Sequence, residues 1–182
     1  MKIHETGFRN LVVIENKFYS DNRGGFTESF NEASFRLHTG QNITFVQDNL
    51  SVSVKNVVRG LHYQLPPKGQ AKLVMVHRGA AWDVAVDLRV SEPTFGKWFS
   101  VELREGDNKQ LFIPEGFAHG FIALEENTLF AYKCSNYYSP EHERCILWND
   151  PALCISWPTE NPIMSAKDCS GISFKDYGSD FI

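Results

Sequence analysis

A histidine inside an apolar run is the first residue that suggests proton-transfer chemistry. His62 lies in the run 57–64, with Arg59 three positions before it and Gly60 between the two. Residues three apart in a regular strand face opposite sides, but an internal glycine often marks a bulge. A bulge at Gly60 could turn both side chains towards one cavity, where a histidine can act as general acid or base. The alternative is a structural histidine, which is the commoner case in strands.

A lysine and two aspartates form the second candidate group. Lys72 opens one apolar run, and Asp83 and Asp87 lie in the next. We expect the two runs to pair as a hairpin across Arg78-Gly79, which would put Lys72 near both aspartates. A buried lysine–aspartate pair stabilises a fold poorly, so its presence hints at function. The alternative is an ordinary ion pair on the outer face of the sheet.

Two amides share a strand face with an aromatic side chain. Gln47 and Asn49 point the same way as Phe45 if residues 43–54 form a strand. Unpaired amides are costly in a dry core. This face is therefore either exposed to solvent or lines a polar cavity, and the segment alone does not decide between them.

The elements that must position these residues are mainly short strands. Apolar runs separated by glycine, proline and asparagine turns occupy residues 11–14, 43–54, 73–77, 82–88, 98–103, 111–113, 117–124 and 128–134. Asn31 can cap a helix over 31–38. Many short strands with regular turns predict an all-β fold, and a double-sheet jelly roll fits best. We expect one domain over 1–182, with the irregular stretch after Pro151 wrapped around it.

Bulk composition limits the partners. The chain has 182 residues, of which 42% are hydrophobic and 22% charged, and its net charge is −4. No nucleic-acid partner is expected from this balance, but a few focused basic side chains could still bind a small anion. The N-terminus has no long apolar run, so we expect no membrane span and a cytoplasmic location. The four cysteines form no CxxC pair, and we expect reduced, buried thiols.

Seven groups of residues together resemble a known family. They are Asp21-x-Arg23-Gly24-x-Phe26-x-Glu28, Gln47-x-Asn49, Arg59-Gly60-Leu61-His62-Tyr63-Gln64, Lys72, Ile113-Pro114-x-Gly116-Phe117-Ala118-His119-Gly120-Phe121, Tyr132-Lys133-Cys134-x-x-Tyr137-Tyr138-x-Pro140-Glu141 and Ser165-x-Lys167-Asp168. In this order and spacing, the chain resembles the dTDP-4-dehydrorhamnose 3,5-epimerases of the cupin superfamily over nearly its whole length. The resemblance implies a cupin-type jelly-roll β-barrel with a few short helices.

The resemblance also implies roles for individual residues. His62 is the expected base, oriented by Asp168, and Tyr132 is the expected acid. Lys72 would stabilise an enolate oxygen, with Asp83 holding the lysine in position. The expected substrate-binding residues are Arg23, Glu28, Gln47, Asn49, Arg59, His119, Phe121, Tyr138, Glu143 and Lys167. Within that set, the two arginines would bind the diphosphate of a nucleotide sugar, and Tyr138 would stack on its base.

Metal, cofactor and assembly follow from the same resemblance. Metal-binding cupins carry a His-x-His pair, but here the pair reads His62-Tyr63-Gln64, and His62 with His119 is too few for a closed site. We therefore expect no catalytic metal and no cofactor. The family implies a homodimer in which residues 21–28 reach the neighbouring subunit's site.

Three other functions remain open at this point. One is a related cupin that inverts a single centre of a 4-ketosugar nucleotide. Another is a non-catalytic cupin that binds a nucleotide sugar, which would not require His62, Lys72, Tyr132 and Asp168 together. The last is a metal-dependent cupin dioxygenase or isomerase, which elemental analysis would detect.

Overall fold

Thirteen strands dominate the part of the chain that the structure describes. The computed structural model describes residues 1–178, 180 and 181; Ser179 and Ile182, which the predicted domain includes, lie outside the described residues. The strands are β1 (Lys2–Glu5), β2 (Val12–Glu15), β3 (Phe18–Asp21), β4 (Gly24–Thr27), β5 (Gln47–Ser53), β6 (Val58–Gln64), β7 (Lys72–Arg78), β8 (Ala80–Asp87), β9 (Trp98–Arg104), β10 (Lys109–Ile113), β11 (Phe117–Ala123), β12 (Thr128–Cys134) and β13 (Glu143–Cys145). The helices are α1 (Glu32–Thr39), α2 (Ala166–Cys169) and a 3₁₀ turn (Phe174–Asp176).

Two antiparallel sheets face each other. The six-stranded sheet has the order β1-β2-β10-β7-β12-β5, and the five-stranded sheet has the order β13-β6-β11-β8-β9. A core cluster joins them, in which the rings of Phe121 from one sheet and Phe130 from the other stack with centroids 3.9 Å apart. This is the jelly-roll architecture that the strand pattern predicts.

Local sequence signals place most elements correctly. The predicted strand over 128–134 is observed with those bounds as β12, and the other predicted strands differ from the observed ones mainly at their ends. Helix α1 begins after Asn31, whose side-chain oxygen accepts a hydrogen bond from the Ser34 amide at 3.0 Å. The helix ends at Gly40, which takes the left-handed conformation that glycine favours. The stretch after Pro151 is irregular, as expected, and touches the barrel through bridges such as Ile146↔Ile172.

The expected hairpin between the runs on either side of Arg78-Gly79 is wrong. Strand β7 lies in the six-stranded sheet between β10 and β12, whereas β8 lies in the five-stranded sheet between β11 and β9. Gly79, with φ of +77°, turns the chain from one sheet to the other. A tight glycine turn can join two strands that pair as a hairpin or two strands that lie in different sheets. The turn sequence therefore does not reveal whether β7 and β8 pair.

The expected bulge at Gly60 is confirmed. In the pairing of β6 with β11, His62 lies opposite His119, while Arg59 lies opposite Phe121, so three steps on β6 match two on β11. Gly60 has φ of +130°, and a Cβ there would lie 2.5 Å from the Cα of Gly120. Only glycine permits this close approach, which turns Arg59 and His62 to the same side.

A hairpin of β3 and β4 projects from the barrel and was not predicted as strands. All residues of β3 are exposed, including Phe18 and Tyr19, and Phe26 of β4 is 67% exposed. Strand β5, at the edge of the six-stranded sheet, leaves Leu50 and Val52 largely exposed. Exposed apolar surface of this kind often marks an interaction site.

The cysteines are free thiols, as expected, but only part of the prediction about burial holds. Cys134 is buried and Cys145 is partly buried, whereas Cys154 and Cys169 are exposed. Cys154 lies in irregular chain and Cys169 ends the short helix α2, so the alternation of a strand does not indicate the burial of either. None of the helices in the described residues is long and apolar enough to span a membrane.

Candidate active site

A cavity of about 280 Å³ opens between the two sheets and collects most of the predicted residues. Its lining is Ser51, Arg59, His62, Lys72, His119, Phe121, Tyr132, Tyr138, Glu143 and Asp168. A smaller adjoining cavity adds Gln47 and Asn49. Residues more than 100 positions apart in the chain therefore share one chamber, whose walls belong to different sheets.

His62 and Asp168 form a close pair on the wall made by β6. Nε2 of His62 lies 2.7 Å from Oδ1 of Asp168, which is the distance of a charge-assisted hydrogen bond. Asp168 also accepts hydrogen bonds from the Ser165 hydroxyl at 2.5 Å and the Gly60 amide at 3.3 Å. Burial raises the pKa of this carboxyl, but its contacts with His62 and Ser165 outweigh burial and lower it to about 2. A carboxylate so close to the ring stabilises an imidazolium.

Lys72 lies at the floor of the cavity, next to His62. Its Nζ donates to the backbone carbonyl oxygen of His62 at 3.4 Å, and the side chain is almost fully buried. Burial lowers the pKa of Lys72, while the neighbouring Cys134, Asp83 and Glu143 oppose that shift. A buried amine with few partners is well suited to donate to an oxygen of a bound ligand.

Asp83 pairs with His119 rather than with Lys72. Oδ2 of Asp83 lies 2.8 Å from Nε2 of His119, and both groups are buried. The negative charge of Asp83 still acts on Lys72 through space. The structure therefore places a second histidine–aspartate pair at the cavity, with His119 in the cavity lining, where sequence reasoning expected a lysine–aspartate pair.

Stability should decrease below neutral pH because His119 is buried. Burial lowers its pKa from 6.5, Asp83 opposes that shift, and Lys72 and His62 add to it. As pH falls below 6.5 and towards the lower pKa of His119 in the folded protein, the unfolded chain binds a proton that the folded protein does not. The free energy of unfolding therefore falls by up to about 1.4 kcal/mol per pH unit for this group. Urea titrations give the free energy of unfolding at each pH. Between about pH 7 and pH 5, we expect this free energy to fall less steeply with pH in His119→Gln than in the native protein. Equal slopes in both proteins would contradict this prediction.

Tyr132 faces the cavity from the opposite sheet. It lies on β12, whereas His62 lies on β6, and both line the same chamber. Burial raises the pKa of the Tyr132 phenol, with a further contribution from Cys134, so it stays protonated near neutral pH. The phenol can therefore donate a proton on the side of the cavity away from His62.

The polar face of β5 lines a cavity and is not a solvent surface. Residues at odd positions along β5 are more buried than their neighbours, and Gln47 donates to Asn49 at 3.0 Å. Ser51, on the same face, has a buried hydroxyl with no hydrogen-bond partner among the described residues. Sequence reasoning missed Ser51, although the period-two pattern that selected Gln47 and Asn49 extends to it.

The mouth of the cavity carries a linked set of polar side chains. The Tyr138 hydroxyl donates to Glu143 at 2.6 Å, and Lys167 forms an ion pair with the same carboxylate. Gln47 fixes the backbone here, since its side-chain oxygen accepts from the Tyr138 amide at 2.9 Å. Lys167 is exposed and lies at the rim. Three of the predicted binding residues, Tyr138, Glu143 and Lys167, therefore lie together at the cavity mouth.

The two predicted arginines are not brought together within one chain. Arg59 lines the cavity and donates to the Ser53 hydroxyl at 3.3 Å. Arg23 lies in the β3–β4 turn, paired with Asp21 at 2.6 Å, and Glu28 is exposed just after β4. Neither Arg23 nor Glu28 lines the cavity of its own chain.

Gln64 occupies the position of the second ligand in metal-binding cupins, and its side chain has a structural role. Its amide nitrogen donates to the carbonyl oxygens of Lys68 and Tyr137, and its oxygen accepts from the Ser139 amide. These bonds fix the loop that carries Tyr138.

Comparison with known proteins gives a consistent family. The sequence profile described as dTDP-4-dehydrorhamnose 3,5-epimerase matches residues 5–176. A protein of that name from Shigella flexneri is 49% identical over 176 residues, covering 97% of each chain. The crystal structure of an epimerase from Legionella pneumophila in complex with dTDP-4-keto-L-rhamnose is similar with a TM-score of 0.94 and 45% identity, covering 98% of this chain and 95% of that one. A 3'-monoepimerase from Streptomyces bikiniensis in complex with dTDP-quinovose is similar with a TM-score of 0.88 and 34% identity, covering 93% and 86% of the two chains.

Proposed function

This chain belongs to the dTDP-4-dehydrorhamnose 3,5-epimerase family, and we propose that it converts dTDP-4-dehydro-6-deoxy-D-glucose to dTDP-4-dehydro-L-rhamnose. The observation that carries this proposal is the arrangement of a base and an acid on facing walls of one cavity. His62 and Asp168 lie on one wall, and Tyr132 lies on the other. Inversion of a carbon centre by proton transfer requires this arrangement, since the proton must leave one face and return to the other.

His62 removes the proton in this mechanism. The ketone at sugar carbon 4 acidifies the protons on carbons 3 and 5, so a neutral imidazole can abstract them. Nε2 of His62 faces Asp168 at 2.7 Å, which leaves Nδ1 to accept the proton. The imidazolium that forms is stabilised by Asp168, whose low pKa keeps it anionic.

Lys72 stabilises the enolate intermediate, and Tyr132 protonates it. Loss of the proton gives an enolate, whose oxygen needs a cation or a hydrogen-bond donor. Lys72 can supply it, since its Nζ lies beside the His62 carbonyl at the cavity floor. Tyr132 then returns a proton to the opposite face of the same carbon, and the centre is inverted.

The nucleotide portion binds at the polar side of the cavity. Arg59 can donate two parallel hydrogen bonds to a phosphate, and Tyr138 at the mouth offers a ring face to the base. Gln47 and Asn49 supply further amide contacts. Ser51 also belongs to this set, because its buried hydroxyl has no hydrogen-bond partner among the described residues and lines the same chamber.

A homodimer completes the site in this proposal. Arg23 lies outside the cavity of its own chain, on a hairpin whose aromatic residues are exposed. The exposed apolar row of β5, including Leu50 and Val52, offers a surface that a second chain could cover. Exchange of the hairpins would bring Arg23 of each chain to the diphosphate bound in the partner's cavity.

A mixing experiment tests this exchange. Arg23→Ala and His62→Ala should each be poorly active alone. In a mixed dimer, the cavity of the Arg23→Ala chain has His62 and receives the hairpin of the His62→Ala chain, so one fully native site forms. Random reassociation of equal amounts should restore about one quarter of the native activity. If Arg23 serves the cavity of its own chain, the mixture stays at the average of the two variants.

Two alternatives follow from the comparisons and the site. A single-centre epimerase is favoured by the similarity to the Streptomyces bikiniensis 3'-monoepimerase. A non-catalytic nucleotide-sugar-binding cupin would need the binding residues but not the facing acid and base. The metal-free mechanism and the cytoplasmic location remain predictions.

Product stereochemistry separates these functions. EDTA-treated protein is incubated with dTDP-4-dehydro-6-deoxy-D-glucose, and the proton couplings of the product are read by NMR. Inversion at both carbons 3 and 5 supports the proposal, and inversion at carbon 3 alone supports the single-centre alternative. Binding without conversion supports the non-catalytic alternative. Activity that is lost with EDTA and regained with a metal would contradict the metal-free mechanism.

A further inference from the structure

A partly buried cysteine lies next to the histidine–aspartate pair. Strand β13 pairs with β6, and Cys145 is directly opposite His62 in that register. Side chains in this relation project from the same face of a sheet, with Cβ atoms about 4.5 to 5.5 Å apart. The ligand atoms offered by His62, Cys145 and Asp168 all lie within 4.8 Å of one another. Three different elements thus converge on one point beside the cavity.

These three donors match the preferences of a borderline or soft divalent cation. Zinc is commonly bound by thiolate, imidazole and carboxylate together, whereas magnesium and calcium prefer oxygen ligands. Ligand atoms around a tetrahedral zinc lie about 3.3 to 3.8 Å apart, so small side-chain rotations would close the site.

A cation at this point would replace hydrogen bonds that the three side chains make in the metal-free protein. Nε2 of His62 and Oδ1 of Asp168 lie 2.7 Å apart, so a cation would bind between them in place of the proton that they share. The thiol of Cys145 donates a weak hydrogen bond to the Ile146 carbonyl oxygen at 3.5 Å. Asp168 is anionic and almost fully buried, so its charge favours a cation at this point.

We propose that His62, Cys145 and Asp168 form a zinc-binding site at which zinc or cadmium inhibits the protein. On binding, the Cys145 thiol loses its proton to solvent and its sulfur coordinates the metal. Nε2 of His62 coordinates the metal as well, so the proton of the neutral ring resides on Nδ1. Asp168 contributes a carboxylate oxygen without a change of protonation.

Inhibition follows from the position of that ring proton, and this part rests on the proposed function. Nδ1 is the atom that accepts the substrate proton, and in the metal-bound form it already carries one. The metal also binds the Asp168 carboxylate, which in the metal-free protein would stabilise the imidazolium of His62.

Cysteine variants provide a direct test with a matched control. Cys145→Ser removes the sulfur ligand from the cluster, whereas Cys169→Ser removes an exposed thiol that follows Asp168 in the chain. Both variants should keep native activity in EDTA. Zinc chloride is then titrated into each protein, and the concentration that halves the epimerase rate should rise by at least about 10-fold in Cys145→Ser only. Magnesium chloride should not inhibit any of the three proteins.

Cobalt binding tests the site without using activity. Cobalt(II) chloride should give a thiolate-to-cobalt charge-transfer absorption in the native protein and in Cys169→Ser, and none in Cys145→Ser. This result would hold even if the proposed substrate were wrong. The proposal is overturned if the absorption persists in Cys145→Ser, if the native protein shows no such absorption, or if zinc inhibits native protein and Cys145→Ser at the same concentration.

Discussion

Replacing His62 with asparagine is expected to lower kcat by about 10²- to 10⁴-fold, the range that general acid–base groups contribute. Asparagine keeps a polar side chain of similar reach but cannot accept a proton. The dissociation constant of dTDP should change little, because the proposed nucleotide contacts come from Arg59 and Tyr138 at other parts of the cavity. Activity is measured by NMR of the sugar protons, and dTDP binding by calorimetry.

The control for this variant is His38→Asn. His38 is exposed on α1, where it contacts only the Ser34 carbonyl oxygen among the described side-chain hydrogen bonds. It should keep native kcat. A His62→Asn protein with more than about one tenth of the native kcat would remove His62 from the role of base.

Replacing Tyr132 with phenylalanine is expected to separate proton removal from inversion. His62 remains, so the substrate should still exchange protons with deuterated water while keeping its configuration. Return of a proton to the opposite face needs the phenol, so product formation should fall by about 10²-fold or more. NMR in deuterated water measures exchange and product in the same sample.

The matched control here is Tyr137→Phe, which removes a phenol five residues further along the chain. Tyr137 is 64% exposed and lies outside the cavity lining, so this variant should retain native product formation. Equal loss of exchange and product in Tyr132→Phe would mean that Tyr132 does not act as the separate acid. Unchanged product formation would exclude it from the reaction.

Elements with local signals could be predicted from the sequence, whereas the pairing of distant strands could not. The Asn31 cap and the strand over 128–134 depend on neighbouring residues, and both are confirmed. The partners of β7 depend on which sheet the chain enters after Gly79, and that choice is made by packing across the whole core. The β3–β4 hairpin was missed because its strands bury little surface within one chain and so lack an apolar alternation.

In the site, too, local sequence indicates some features, whereas contacts between distant residues could not be predicted. A glycine inside a strand often marks a bulge, and the bulge found at Gly60 turns Arg59 and His62 towards one cavity. The contact between His62 and Asp168 spans more than 100 positions, and family resemblance rather than residue pattern indicated it. Asp83 was assigned to Lys72 from a hairpin that does not form, and its partner His119 lies on the neighbouring strand β11.

Deuterium incorporation by the native protein tests the central claim most directly. If base and acid act on opposite faces through an enolate, each inverted carbon receives a proton that exchanges with solvent. In deuterated water, the product should then carry one deuterium at carbon 3 and one at carbon 5. Product of inverted configuration without deuterium at either carbon would contradict proton transfer by His62 and Tyr132.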